Sequence, residues 1–156
     1  MSLIKYSAVA CLAAFSLSAF AVEPAKSQKH AVKATELRQS VFSLLGSNMG
    51  PLGGMAKGKI AFDAKRIETN ALRINQLSLM IADYNRTDTS KFDVKTEALN
   101  KIWQDQENFS KRIDDLTKAS AHLQKVAASG DKAAIKKAIG GVGKTCGGCH
   151  DDFKKD

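Results

Sequence analysis

Two thiols and an imidazole stand near the end of the chain in the run Cys146-Gly147-Gly148-Cys149-His150. On a helix, cysteines three apart share one face about a turn apart, so both sulfurs reach the same flat object from one side. The C-x-x-C-H spacing is that of covalent haem attachment. Each thiol forms a thioether with a haem vinyl group, and the following His donates an imidazole nitrogen to the iron as axial ligand. Three other chemistries use some of these residues. A structural zinc site wants four ligands, and His30 and His122 lie far off in sequence. A thioredoxin-like pair would sit near the start of an α/β domain, not at the end of a helical chain. A plain disulfide would leave the adjacent His and the glycines without a purpose. The motif therefore reads as one haem c, bound through Cys146 and Cys149, with His150 as metal ligand.

Such a motif needs a scaffold, and the chain predicts helices. Proline occurs only at Pro24 and Pro51, and β-type alternation is nowhere sustained. The first helix is expected from about Ala31 to Ser47, stopped by Gly50-Pro51-Leu52-Gly53-Gly54. The second is expected from about Ile60 to Asp83, with Ile60, Ala64, Ile67, Ala71, Ile74 and Ile81 along one face and a polar loop from Asn85 to Ser90 behind it. The third, from about Lys95 to Ala128, has the clearest period. Leu99, Ile102, Gln106, Phe109, Ile113, Leu116, Ser120 and Leu123 step by threes and fours, the seam of a helix nearly parallel to its neighbours. Gly130 ends it, and Asp131 caps a fourth helix running from about Lys132 toward Lys154. On that helix Ile135, Ile139, Val142, Cys146, Cys149 and Phe153 form one stripe, which puts both thiols on the core face. Gly140, Gly141 and Gly143 weaken the helix by about 1 kcal/mol each relative to Ala, and they let a bulky group approach the backbone.

The first 21 residues read as a secretory leader. Lys5, the apolar run from Ala8 to Phe20 and the Ala19-Phe20-Ala21 site form its three parts, with cleavage expected after Ala21. The run is too short to span a bilayer comfortably, and Cys11 lies inside it, so neither a membrane anchor nor a lipid anchor is expected. Residues 22–156 then form one domain, about 135 residues long, enough for a modest core. Loss of Lys5 leaves 23 basic against 16 acidic residues, a net charge of +7. The basic residues are spread along the chain with no aromatic interleaving, so a solvated basic surface is expected and nucleic acid is not. Export of a haem protein places it in the periplasm.

A four-helix chain with C-x-x-C-H in its last turns resembles the cytochromes c′, the class II c-type cytochromes, over essentially the whole of residues 22–156. The fold this implies is all-α, an antiparallel up-down-up-down four-helix bundle with covalent haem. Arg38-Gln39 looks like the family's Arg-Gln pair near the haem propionates. Phe42 falls where the family places the residue over the open face of the iron. Ile102-Trp103 followed by Phe109 looks like its third-helix aromatic pattern. One departure is Lys154, where many members carry Arg four residues after the His.

Elementary geometry sits beside these assignments. Arg38 and Phe42 are one turn apart on the same face, so Arg38 can pair with a propionate while Phe42 packs over the iron. The alternatives are a solvated Arg38 and a Phe42 that is ordinary core. Thr96 and Glu97, as the start of the third helix, would offer free amide donors to a propionate, although Glu97 repels it unless paired with a base. Lys154, one turn after His150, lies beside the proximal face or on the surface. His30 and His122 read as surface residues, and Trp103 as core or haem wall. The resemblance implies an iron held by His150 alone, left five-coordinate, redox-active, and binding nitric oxide and carbon monoxide with poor oxygen binding. It also implies a homodimer through the first two helices and an unidentified redox partner. The alternative is an electron-transfer cytochrome of the same class, in which a Met ligates the iron. The residue four after Arg38 is Phe, while Met49 and Met80 would ligate only with a differently seated haem. No general base is poised in a distal pocket that reads as all apolar, so no enzymatic activity is assigned.

Overall fold

The structure, a computed structural model, describes residues 21–155. The leader lies outside them apart from Ala21. Four long helices, α1 (Gln28–Ala56), α2 (Ala64–Tyr84), α4 (Gln106–Ala127) and α5 (Lys132–Phe153), form an all-α bundle, with a single short turn α3 (Lys101–Gln104) ahead of α4. In the bundle α1 packs on α2, α2 on α4, α4 on α5, and α5 back on α1, the last seam being the loosest of the four. Between them lies a core of Val41, Leu52, Ile67, Ile74, Leu116, Leu123, Ile135 and Val142, among others.

The first helix is longer than its breakers predict. It begins at the cap Ser27, whose Oγ accepts from His30 N–H at 3.2 Å. His30 thus sits in the first turn rather than ahead of the helix, and it is exposed. The helix then runs through Pro51 to Ala56. Proline's φ suits a helix, but its ring costs about 3 kcal/mol through the lost hydrogen bond and the clash with the preceding turn. Leu52 and Met55 are fully buried just beyond it, each worth about 1.5–3 kcal/mol, and Asn70 Nδ2 donates to the Asn48 carbonyl at 3.0 Å. Tertiary burial therefore overrides the local signal. The helix stops instead at Gly58, φ 73°, with Gly58 N–H on the Met55 carbonyl and Lys59 N–H on the Gly54 carbonyl. Ile60 folds back over Gly54, where a Cβ would lie 2.6 Å from Ile60 Cδ1, so α2 starts four residues later than expected, at the cap Asp63.

The third helix also differs. Residues 95–100 are not helical; Ala98 forms an antiparallel bridge with Lys154, Leu99 N–H donates to the Phe153 carbonyl at 2.9 Å, and Lys155 N–H to the Glu97 carbonyl at 2.8 Å. The helix proper breaks at Asp105 (φ −125°, ψ 65°), whose side chain caps α4 by accepting from Asn108 N–H. A heptad seam cannot distinguish a helix from a helix preceded by a strap that continues the same spacing, and Leu99 and Ile102 continue it. Within α4 the expected seam residues Phe109, Leu116, Ser120 and Leu123 are buried. The connection also carries the two-residue strand β2 (Thr87–Asp88), paired in parallel with β1 (Glu23–Pro24), which ties the start of the domain to the α2 exit. Helix α5 begins where expected, with Asp131 accepting from Ala133 and Ala134 N–H, and Gly130 takes φ 73° just before it.

Candidate haem site

The motif lies in the last two turns of α5, the helix whose seam with α1 is the loosest in the bundle. Cys146 and Cys149 are free thiols, both half-buried and both packed against the core cluster; His150 is exposed. Burial raises both thiol pKa values, and that of Cys149 reaches about 11 as the neighbouring Cys146 adds to the desolvation. At neutral pH both therefore stand as neutral thiols. No group of three or more His, Cys, Asp or Glu side chains suited to a metal gathers among the described residues, so the four ligands of a structural zinc site do not assemble around His150.

On α1, Arg38, Phe42, Leu45 and Met49 step by fours and threes along the helix. Met49 packs against α5, its Cε 3.7 Å from where a Gly143 Cβ would lie, and a Cβ at Gly147 would meet nothing within 4 Å. Gly143 therefore admits a neighbour, and Gly147 faces open space, as a motif that must admit a large planar group requires. Phe42 is 38% exposed while its neighbour Val41 is buried at 5%. Phe42 is thus not a buried core side chain, since over a third of it faces solvent.

Arg38 is the most informative side chain. It is 2% exposed, held over the Trp103 ring at 5.2 Å from the centroid, with Nη2 donating to Thr35 Oγ1 at 3.5 Å and Thr96 Oγ1 at 3.4 Å. Burial pushes its pKa below the usual guanidinium value. Nη1 is buried with no partner at all. The solvated-surface reading of Arg38 is therefore excluded. A buried guanidinium nitrogen without a partner is the kind of donor a haem propionate would satisfy, and the C-x-x-C-H thiols and His150 are the groups that attach and ligate a haem, so the residues present fit the group.

The remaining expected residues divide. Thr96 reaches Arg38, but from the extended strap and through its hydroxyl, not as a helix N-terminus. The helix start expected at Thr96 and Glu97 is not there: residues 95–100 are a non-helical strap paired to α5, and Ala98 N–H is taken by Thr96 Oγ1 at 3.1 Å. Glu97 is exposed and contributes its carbonyl to Lys155. Gln39 is exposed and clips α1 to the strap through Nε2 on the Lys95 carbonyl at 2.8 Å. Lys154 is exposed at the end of α5, its N–H on the His150 carbonyl at 3.0 Å. Met80 is exposed on α2, away from the motif, and His122 is exposed as expected.

One group of residues was not foreseen. Arg112 on α4 lays its guanidinium against the motif backbone, with Nε and Nη2 on Asp152 Oδ2 at 2.9 and 2.8 Å, and Asn108 Nδ2 on the same oxygen at 3.0 Å. These bonds hold the Asp152 carboxyl below the usual range. A Cβ on Gly148 would lie 2.9 Å from Arg112 Nη1, which gives that glycine a steric reason. Asn108 and Arg112 are visible in sequence as a polar pair one turn apart, but nothing in sequence says that Asp152 is their partner. Gly148→Ala is expected to cost about 1–3 kcal/mol, as overpacking does, and to cost markedly less in an Arg112→Ala background. Urea denaturation of the four proteins of that cycle measures the difference.

The comparisons agree with this geometry. The family model described as Cytochrome C′ matches residues 33–154. Cytochrome c′ from Rubrivivax gelatinosus is 37% identical over 122 residues, covering 78% of this chain and 94% of that protein. The solved cytochrome c prime from Shewanella frigidimarina superposes with TM-score 0.74 at 39% identity, covering 81% of this chain and 97% of that one. A nitric oxide complex of a leucine-to-alanine variant of cytochrome c prime from Alcaligenes xylosoxidans superposes with TM-score 0.72 at 27% identity, over 81% and 96% of the two chains. With the family model matched from within α1 to the end of α5, the chain belongs to the cytochrome c′ family of c-type haem proteins.

Proposed function

We propose that this chain holds one haem c through thioethers at Cys146 and Cys149, ligates its iron with His150, and binds nitric oxide and carbon monoxide on the opposite face. Bound there, the haem supplies an iron that cycles between ferric and ferrous states and offers an open axial position to a small diatomic molecule. His150 follows Cys149 directly, so the thioether fixes where its imidazole points. Arg38 pairs with a propionate through its unpartnered Nη1, steadied by Trp103 and Thr96. Phe42 covers the other face and brings no donor atom, so it excludes water and leaves the iron five-coordinate. The observation that carries this reading is the buried, unpartnered Arg38 nitrogen in a chain that also bears the C-x-x-C-H motif. It is supported by the nitric oxide complex of the Alcaligenes xylosoxidans relative.

Under denaturing conditions the mass of the protein is expected to be that of the polypeptide after leader removal plus one haem, and acid-acetone should leave the colour with the protein. The reduced spectrum is expected to be high-spin and to change on adding nitric oxide. Haem released into acid-acetone, or a mass without it, defeats the covalent assignment. A second reading, electron transfer with a Met ligand, draws on Met49, half-buried against α5 one turn before Cys146. It requires a low-spin spectrum unaffected by nitric oxide, so the same measurement separates the two.

Periplasmic residence rests on the leader pattern and on the covalent haem. No described helix is long and apolar enough to cross a membrane. Homodimerisation is supported by two exposed leucine pairs at helical spacing, Leu37 and Leu44 on α1 and Leu72 and Leu79 on α2, exposed by 40–62%. Leu44→Glu combined with Leu79→Glu is expected to weaken association by a hundredfold or more, read as monomer by sedimentation equilibrium, because burying two unpaired carboxylates is costly.

A further inference from the structure

The chain's basic residues look dispersed in sequence, but the fold gathers a third of them at one pole. That pole is built from the α1–α2 loop, the first turns of α2, the last turn of α4 and the first turns of α5. It carries eight exposed cations, Lys57, Lys59, Lys65, Arg66, Lys125, Lys132, Lys136 and Lys137, against three carboxylates, Asp63, Glu68 and Asp131. Two of those carboxylates are occupied as helix caps. The two loops meet directly, since Lys132 Nζ stands over the Phe62 ring at 5.1 Å. None of the ion pairs found among the described residues involves these eight cations; each lies in α1's first turns or around the 83–115 and 152 regions. At the opposite pole Lys91, Asp93, Lys95, Glu97, Lys101 and Asp105 alternate in sign.

The positive pole also carries apolar surface. Ile60 is 41% exposed between Lys59 and the half-buried Phe62. Exposed ammonium groups at the same pole as an exposed Ile suit a surface of high, diffuse negative charge with hydrocarbon beneath it. From this arrangement we infer that the pole formed by Lys57, Lys59, Lys125, Lys132, Lys136 and Lys137 is a peripheral docking surface for anionic phospholipid membranes.

Charge complementarity selects the occupant. A cation near an anionic membrane surface strengthens binding roughly fivefold, provided it lies within the Debye length, about 8–10 Å at ordinary ionic strength. Several together give measurable binding without any inserted helix, and salt dissolves it. Cys146 lies fourteen residues, roughly 21 Å, along α5 from Lys132, so the pole is remote from the C-x-x-C-H end of the α1–α5 seam. Docking by the pole therefore leaves the seam facing the aqueous phase, open to dissolved gases. The inference does not depend on which ligand the seam takes.

The test is co-sedimentation of the haem-loaded protein with vesicles. With vesicles of phosphatidylglycerol and phosphatidylethanolamine at low ionic strength, binding is expected; with pure phosphatidylcholine, or in roughly 0.5 M salt, it is expected to vanish. The variant Lys57→Glu/Lys59→Glu/Lys136→Glu/Lys137→Glu is expected to lose at least a hundredfold in affinity. A control of equal charge change away from the pole, Lys26→Glu/Lys29→Glu/Lys91→Glu/Lys118→Glu, is expected to lose less than tenfold. An unchanged visible spectrum in both variants shows that folding and the seam are intact. Equal losses in the two variants would overturn the proposal in favour of net charge alone. Absence of binding to anionic vesicles at low salt, or binding to poly-L-glutamate without binding to vesicles, would overturn it as well.

Discussion

Replacing Arg38 by methionine is expected to stabilise the haem-free protein and destabilise the haem-loaded one. The side chain is 2% exposed, and arginine stays charged in proteins, so its charge is carried into the interior. In the chain by itself that charge has two long bonds to Thr35 and Thr96 and the face of Trp103, and Nη1 has nothing. An unsatisfied buried donor costs about 1–3 kcal/mol. Methionine is of similar length, has no donor, and fits against Trp103. In a Cys146→Ala/Cys149→Ala background, where no thioether can form, Arg38→Met should therefore raise stability by about 1–3 kcal/mol. With haem attached, the same change leaves a propionate without its partner, and breaking a buried pair costs about 3–5 kcal/mol. The sign of the effect thus reverses with the cofactor. Urea denaturation of the four proteins reads it directly. If Arg38→Met lowers stability equally in both backgrounds, Thr35, Thr96 and Trp103 satisfy the guanidinium by themselves and the propionate assignment falls.

The legible and illegible parts of this fold divide along physical lines. Helix α5 was readable almost to the residue, because Asp131 caps it, the four-three stripe from Ile135 to Phe153 holds one face, and both cysteines fall on that stripe. The attachment motif was readable because three reactive residues sit together in sequence. The reach of α1 was not, because Pro51 and four glycines speak locally for a break, and only the burial of Leu52 and Met55 against other helices speaks for continuation. Residues 95–100 failed for a different reason: spacing of three and four is shared by a helix and by a strap that feeds it. The setting of Arg38 depends on where that strap runs. Its burial under Trp103 and Thr96 needs the whole 85–105 connection folded over α1, which no periodic pattern encodes. Asp152, as partner of Arg112 and Asn108, was equally hidden, since the three meet only when α4 and α5 are docked.

With Phe42 over the iron, as proposed, its removal is expected to raise carbon monoxide affinity by about ten- to hundredfold. The ring lies one turn beyond Arg38 on α1, and it is 38% exposed where a core phenylalanine would be near zero. An aromatic left outside the core beside an orphaned guanidinium is apolar surface awaiting a cover. Once that cover is present, a ligand must displace the ring before it can bind. Forcing a packed side chain out of its rotamer costs on the order of 1–3 kcal/mol, which is about ten- to hundredfold in affinity at 1.4 kcal/mol per decade. Phe42→Ala removes that cost. Because Phe42 is not in the core, its loss should cost the haem-free protein far less than the about 3–5 kcal/mol typical of a buried Phe→Ala change. Phe42→Met places a thioether sulfur where the ring stood and should draw the spectrum toward low-spin. Carbon monoxide titrations of the reduced wild type and Phe42→Ala, with the spectrum of each, measure both effects. An affinity unchanged by Phe42→Ala, or a wild-type spectrum already low-spin, would mean that the ring does not guard the iron, and Met49 would become the residue to test as an axial ligand.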